Sequence, residues 1–146
     1  MVAHEHFMLR LPSLDADLAD MLLRMAPTVL QETVLLLLSD HGTHGIWYND
    51  HEVGALEHQL PFLYVLAPDW LMRERPAWRD ALAVNQRRLV TAHDLYRTMR
   101  TLAVWPDAPA GEHGPTILDE IAEERTCAQA GVPRAYCACR RDEQGG

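Results

Sequence analysis

The sequence predicts an α/β fold, and three observations support this class. Two apolar runs, residues 33–39 and 62–67, are rich in leucine and in β-branched or aromatic residues, which indicates strands. Apolar residues also recur at helical spacing before and after these runs, which indicates helices packed on a sheet. The chain has 146 residues, of which 48% are hydrophobic, and this is enough for one domain with a core.

The first predicted strand, residues 33–39, ends at a group of residues that suit a metal site. Its apolar residues do not alternate with polar ones, which is typical of a strand buried on both faces of a parallel sheet. Ligands bind at the carboxyl ends of strands in open α/β sheets, and Asp40, His41 and Gly42 follow this strand directly. We predict that Asp40 and His41 bind one divalent cation, and that Gly42 adopts a backbone φ that other residues avoid. The alternative is that Asp40 only caps a neighbouring helix.

The other predicted elements are helices. A first helix starts with Ser13 as its N-cap and ends before Pro27. Thr91 and Asp94 form a capping-box pattern that opens a later helix, which ends before Trp105. The apolar residues predicted to face inward are Leu14, Leu18, Met21, Leu22 and Met25 in the first helix and Leu95, Met99 and Leu102 in the later one.

The segment between the two strands shows no periodic pattern, which indicates a functional loop. It combines imidazole, aromatic, glycine and acidic residues, among them His44 and Glu57, and this mixture suits the wall of a pocket. His4 and His6, near the start of the chain, are two further imidazoles. For each of these histidines, the alternative is a surface or structural position without a functional role.

Residues 106–116 are rich in Pro, Gly, Ala and acidic residues and predict a linker between a domain, residues 1–105, and a tail, residues 117–146. The tail contains Cys127, Cys137 and Cys139. Three thiols with this spacing would supply part of a zinc site, which normally has four ligands.

Charge and hydropathy exclude several classes of function. The formal net charge of −8 argues against nucleic-acid binding, which needs clustered Lys and Arg. No apolar run is long enough to span a membrane, and the first residues lack the pattern of a signal peptide. The sequence contains no Gly-rich phosphate loop and no Ser-His-Asp arrangement.

Four segments, VLLLLSDHG, GALEHQLPFLYVLAPDW, TAHDLYRTMRTL and ERTCAQAGVPRAYCAC, follow one another in the chain. The first three resemble the C-terminal half of the alkaline phosphatase and sulfatase superfamily. The closest resemblance is to DUF229, a eukaryotic family of uncharacterised, sulfatase-like extracellular proteins, and the fourth segment is similar to the cysteine-bearing tail of that family. The resemblance implies the C-terminal part of an alkaline-phosphatase-like fold.

The resemblance also implies roles for individual residues. Asp40 and His41 would be two metal ligands, for which zinc or manganese suits this donor pair better than calcium, although calcium remains possible. His44, Glu57 and one of His4 and His6 would face the substrate. Because the family is extracellular, the resemblance favours disulfides over zinc for the three cysteines.

Enzymes of the superfamily hold their nucleophile and acidic metal ligands in the N-terminal half, and nothing similar precedes His4. We therefore expect a fragment of a metal-dependent phosphoric or sulfuric ester hydrolase, without a catalytic residue of its own and inactive alone. The full-length parent would act on a small-molecule, glycan or phospho ester. The alternatives are a non-catalytic, truncated interaction module and a small zinc-binding protein.

Overall fold

The computed structural model describes residues 11–42, 47–107 and 114–139. The chain divides into two compact units, Met1–Leu71 and Met72–Gly146. None of the helices in the described part is both long and apolar enough to cross a membrane. The elements are α1 (Asp15–Met25), β1 (Leu35–Leu38), α2 (Glu52–Gln59), β2 (Leu63–Leu66), α3 (Asp69–Glu74), α4 (Pro76–Asn85) and α5 (Ala92–Val104), with 3₁₀ turns at Leu11–Leu14, Val29–Gln31, Trp47–Asp50 and Arg134–Tyr136.

Strands β1 and β2 lie within the two predicted apolar runs and form a two-stranded sheet. They pair antiparallel, with Leu35 opposite Leu66 and Leu38 opposite Leu63. The prediction that β1 lies in a parallel sheet and is buried on both faces is therefore wrong. Leu38 is 47% exposed, and the other three leucines of β1 are only half-buried. A strand is buried on both faces only when further layers cover it, and the described residues of this sheet provide two strands alone.

Helix α1 ends where the sequence predicts, at Met25 before Pro27, but its start differs. The N-cap position belongs to Leu14 because Ser13 lies within the preceding 3₁₀ turn. The apolar stripe is only partly covered, so the inward orientation predicted for two of its residues is wrong. Leu18, Leu22 and Met25 are half-buried, whereas Leu14 and Met21 are exposed.

In the second unit, the capping box predicted at the start of α5 is confirmed. The backbone N–H of Thr91 donates to Asp94 Oδ2 at 2.9 Å, and the reciprocal bond is also present. Leu95 is buried as predicted, but Met99 is 45% exposed. The most deeply buried residues of the helix are polar, Asp94 and Thr98.

Residues 117–139, which the sequence suggested to be a tail, contribute much of the core of the second unit. Their buried apolar residues are Ile117, Leu118, Ile121, Cys127 and Ala130. Asn85 at the end of α4 is buried and fixes this segment with three hydrogen bonds. Its Nδ2 donates to the carbonyl oxygens of Ile117 at 3.0 Å and Asp119 at 2.8 Å, and its Oδ1 accepts from the backbone N–H of Ile121 at 2.9 Å.

Polar side chains of α5 hold the same segment. Thr98 Oγ1 accepts from the backbone N–H of Ile117 at 2.9 Å. Arg125 donates to the Asp94 carboxylate from Nη1 at 2.7 Å and from Nη2 at 3.0 Å. Burial by itself would raise the pKa of Asp94, but the hydrogen bonds from Arg125 and Thr91 outweigh it and hold this pKa below its ordinary value. The polar inward face of α5 is therefore satisfied by residues far away in the sequence.

The lowered pKa of Asp94 predicts a pH-dependent contribution to stability. Because the carboxylate binds protons less tightly in the folded state, its contribution is fully present above its ordinary value of 3.8 and is lost as the pH falls through the folded-state pKa. At neutral pH, Asp94→Asn should lower the free energy of unfolding by about 3 kcal/mol, because it leaves Arg125 buried without its partner charge. The difference from the natural chain should shrink as the pH falls below about 4.

Urea unfolding of the two proteins between neutral and acidic pH measures this difference. Asp80→Asn is the matched control, because Asp80 pairs with Arg79 on the surface, where both side chains are more than half exposed. It should change the unfolding free energy by less than about 1 kcal/mol at every pH. A difference between Asp94→Asn and the natural chain that stays constant with pH would contradict this account.

Candidate functional site

The turn formed by residues 40–42, called here the 40–42 turn, begins where β1 ends. Ser39 is held against the residue before β2 by two hydrogen bonds. Its backbone N–H donates to the carbonyl oxygen of Phe62 at 3.2 Å, and its Oγ accepts from the backbone N–H of Phe62 at 3.1 Å. The chain therefore leaves the sheet at a fixed point, directly before Asp40.

Gly42 packs against the last turn of α2, and only glycine fits there. Its backbone N–H donates to the carbonyl oxygen of His58 at 3.0 Å. A Cβ at this position would lie 2.0 Å from the carbonyl oxygen of Glu57. The prediction that Gly42 is needed for an unusual φ is wrong. Among the described residues, the glycines with a positive φ are Gly114 and Gly131, and Gly42 is not one of them. Gly42 is required because another backbone approaches it closely.

The imidazole of His41 is oriented by the same turn. Its Nδ1 lies 2.6 Å from the carbonyl oxygen of Gly42. Since a carbonyl oxygen only accepts hydrogen bonds, this contact assigns the hydrogen to Nδ1 and makes Nε2 the acceptor nitrogen of the neutral ring. Nε2 lies 3.6 Å from Oδ2 of Asp40, whose side chain is 88% exposed.

The positions of Asp40 and His41 fit a shared metal ion. Nitrogen and oxygen ligands lie about 2.1 Å from zinc, so two ligands at a tetrahedral angle are about 3.4 Å apart. The observed separation of 3.6 Å is close to this value. Metal-binding histidines also commonly donate their second ring N–H to a carbonyl or carboxylate, as Nδ1 of His41 does.

The structure brings one further imidazole to this turn. The ring of His58 lies 5.0 Å from that of His41, measured between centroids, and is tilted by 58°. His58 lies in the last turn of α2, within a segment that was predicted to be a loop. The sequence suggested His58 only as a neighbour that orients Glu57, because its proximity to His41 depends on the packing of Gly42 against α2.

The remaining predicted pocket residues are only partly accounted for. Glu57 is exposed, and the part of it that contacts the 40–42 turn is its backbone carbonyl. His4, His6 and His44 lie outside the described residues. Within those residues, Asp40 and His41 have no third metal-binding side chain close enough to complete a group of three.

The three cysteines lie together in the second unit. Cys127 and Cys137 form a disulfide, and Cys139 is an exposed thiol. The sulfur atoms of all three lie within 4.8 Å of one another. Zinc binds thiolates, so the oxidised pair does not suit a zinc site.

Comparison with known proteins identifies the family. The sequence profile of DUF229, described as a protein of unknown function, matches residues 1–145. The chain therefore belongs to the DUF229 family, which confirms that part of the resemblance found in the sequence. No curated protein and no solved structure shows significant similarity to the chain.

The contact of Gly42 with α2 predicts a large effect of a small substitution. Gly42→Ala places a methyl group where the carbonyl oxygen of Glu57 lies, so the turn or the end of α2 must move. Overpacking of this kind typically costs 1–3 kcal/mol, and we expect a loss of about 3 kcal/mol in the free energy of unfolding, measured in urea. Glu57→Ala is the control, because it keeps the carbonyl and removes only an exposed side chain. Equal stability of the two variants would show that the close approach is not a constraint.

Proposed function

We propose that this chain supplies two metal ligands, Asp40 and His41, to a metal-dependent hydrolase of phosphoric or sulfuric esters. In this proposal it is the C-terminal part of an alkaline-phosphatase-like domain. Support comes from the resemblance of its motifs to that superfamily and from the geometry of the 40–42 turn. The observation that carries the proposal is the contact of His41 Nδ1 with the Gly42 carbonyl, which leaves Nε2 as the acceptor nitrogen 3.6 Å from Asp40 Oδ2.

Each residue of the turn has a separate task in this proposal. Asp40 supplies a carboxylate oxygen from an exposed side chain, so the ion can be reached by substrate. His41 supplies Nε2, and the Gly42 carbonyl keeps the ring in the required tautomer. When bound, zinc or manganese would lower the pKa of a nucleophile and offset the charge that develops on the transferring group.

Electrostatics favours a site that holds a cation. The ester substrates are anions, whereas the chain carries a formal net charge of −8 and the 40–42 turn contributes an exposed carboxylate. Without a cation these charges repel the substrate, and a divalent ion bound by Asp40 and His41 reverses the sign at the point of binding. Glu57, His44 and one of His4 and His6 are proposed as pocket residues around this ion.

A non-catalytic interaction module is the second candidate, and the small sheet favours it. In the described residues β1 and β2 are each other's only partners, so both have an open edge. Leu38, Phe62 and Tyr64 are exposed on or beside these strands. Open edges and exposed apolar side chains are features on which an added strand of another protein can pair.

Zinc binding distinguishes these candidates. Equilibrium dialysis followed by metal analysis should find one equivalent of zinc on the natural chain. Asp40→Ala and His41→Ala should each weaken binding at least about tenfold, because even residues that only orient a ligand commonly contribute that much. His93→Ala is the matched control, since His93 is an exposed histidine of the other unit.

The other outcomes would contradict the proposal in different ways. A natural chain without stoichiometric zinc or manganese would favour the interaction module. If the Cys139→Ser variant lost zinc and the Asp40→Ala variant retained it, a small zinc-binding protein built on the cysteines would be favoured.

A further inference from the structure

The cysteines of the second unit form an arrangement that the proposed function does not use. The thiol sulfur of Cys139 lies 3.4 Å from the sulfur of Cys127, which is bonded to Cys137. A thiol in contact with a disulfide sulfur is the starting arrangement for thiol–disulfide exchange. The structure therefore presents a disulfide together with a thiol that contacts one of its sulfurs.

Cys127 is the fixed member of the group. It begins a single helical turn that opens with a capping box, in which the Thr126 backbone N–H donates to Gln129 Oε1 at 2.8 Å and the Gln129 N–H donates to Thr126 Oγ1 at 3.2 Å. The turn closes at Gly131, whose φ is +72°, and the Val132 N–H donates to the Cys127 carbonyl at 2.8 Å. Cys127 is buried and so is Ala130, at the end of the same turn.

Cys137 and Cys139 are less constrained. They follow the 3₁₀ turn Arg134–Tyr136 and are separated by one residue. Cys137 is half-buried, and Cys139 is exposed. One buried, fixed sulfur therefore faces two sulfurs on a surface segment, and both lie within reach of it.

We propose that Cys127, Cys137 and Cys139 form a thiol–disulfide exchange centre in which Cys127 is the shared sulfur. The Cys139 thiolate attacks Sγ of Cys127, the bond between Cys127 and Cys139 forms, and the bond between Cys127 and Cys137 breaks. Cys137 leaves as a thiolate and takes up the proton that Cys139 released. The chain contains one disulfide and one thiol before and after, so the step needs no external oxidant or reductant.

The exchange decides how accessible the remaining thiol is. When Cys127 is bonded to Cys137, the thiol belongs to exposed Cys139, which small disulfides or the cysteines of another protein can reach. When Cys127 is bonded to Cys139, the thiol belongs to Cys137, which is half-buried in the position described here. The exchange thus moves the thiol from an exposed residue to a half-buried one, two residues away in the segment.

Mapping of disulfides and thiols in the full chain tests this proposal. The protein is equilibrated at about pH 8.5, where an ordinary thiol is about half ionised, quenched with acid, alkylated with a maleimide and digested without reduction. We expect two isomers of the natural chain, one alkylated at Cys139 and one at Cys137, with Cys127 in a disulfide in both. The proposal would be overturned if only one isomer, the one alkylated at Cys139, were detected.

Single substitutions provide the second readout. Cys139→Ser should keep the disulfide of Cys127 with Cys137, and Cys137→Ser should form the alternative disulfide of Cys127 with Cys139. In the control Cys127→Ser, alkylation should modify both Cys137 and Cys139. The exchange would be contradicted if Cys127 and Cys139 of the Cys137→Ser variant were both alkylated under conditions in which the Cys139→Ser variant forms its disulfide. The result in the natural chain decides the question if either variant fails to fold.

Discussion

The close contact between Gly42 and the end of α2 is the constraint on which the candidate site depends. Three features of Gly42 contribute to the geometry of the 40–42 turn. Its N–H bonds the His58 carbonyl, its missing Cβ admits the Glu57 carbonyl, and its own carbonyl accepts from Nδ1 of His41. A residue with a side chain would lose the second of these contacts and displace the other two. The hydrogen bond from His41 Nδ1 to the Gly42 carbonyl therefore depends on backbone packing against α2.

The sequence predicted those parts of the fold that depend on local chemistry. Pro27 limits α1, the capping box of Thr91 and Asp94 opens α5, and both strands lie within the predicted apolar runs. It predicted a parallel sheet, whereas β1 and β2 pair antiparallel, because an apolar run indicates burial and carries no information on the direction of its neighbour. A second capping box, formed by Thr126 and Gln129, was visible in the sequence as a Thr-x-x-Gln pattern but was not used.

Features that depend on distant residues were missed or misassigned for a common reason. The sequence identified Asp94 only as part of a capping box and assigned no role to Thr98, yet both are buried, with Arg125 and the backbone of Ile117 as their partners. The role of Gly42 was assigned to its φ, whereas the actual reason is the approach of a backbone from α2. In the candidate site, Asp40 and His41 were predicted because they are adjacent in sequence, and His58 was not, because only folding brings it near.

The two units carry different chemistry. The hard oxygen of Asp40 and the nitrogen of His41 lie in the first unit, and all three cysteines lie in the second. With Cys127 and Cys137 joined in a disulfide, the three cysteines offer a single thiol, that of Cys139, as a ligand for a metal ion. The proposed metal binding and the proposed disulfide exchange can thus be tested separately, and the failure of one proposal does not affect the other.

The tautomer of the His41 ring decides whether Nε2 can bind a metal ion, as proposed for the 40–42 turn. A long-range ¹H–¹⁵N correlation spectrum of the full chain identifies which ring nitrogen carries the hydrogen. The account predicts that neutral His41 carries it on Nδ1 and that addition of zinc shifts the resonance of Nε2. A hydrogen on Nε2, with resonances that do not respond to zinc, would contradict the claim.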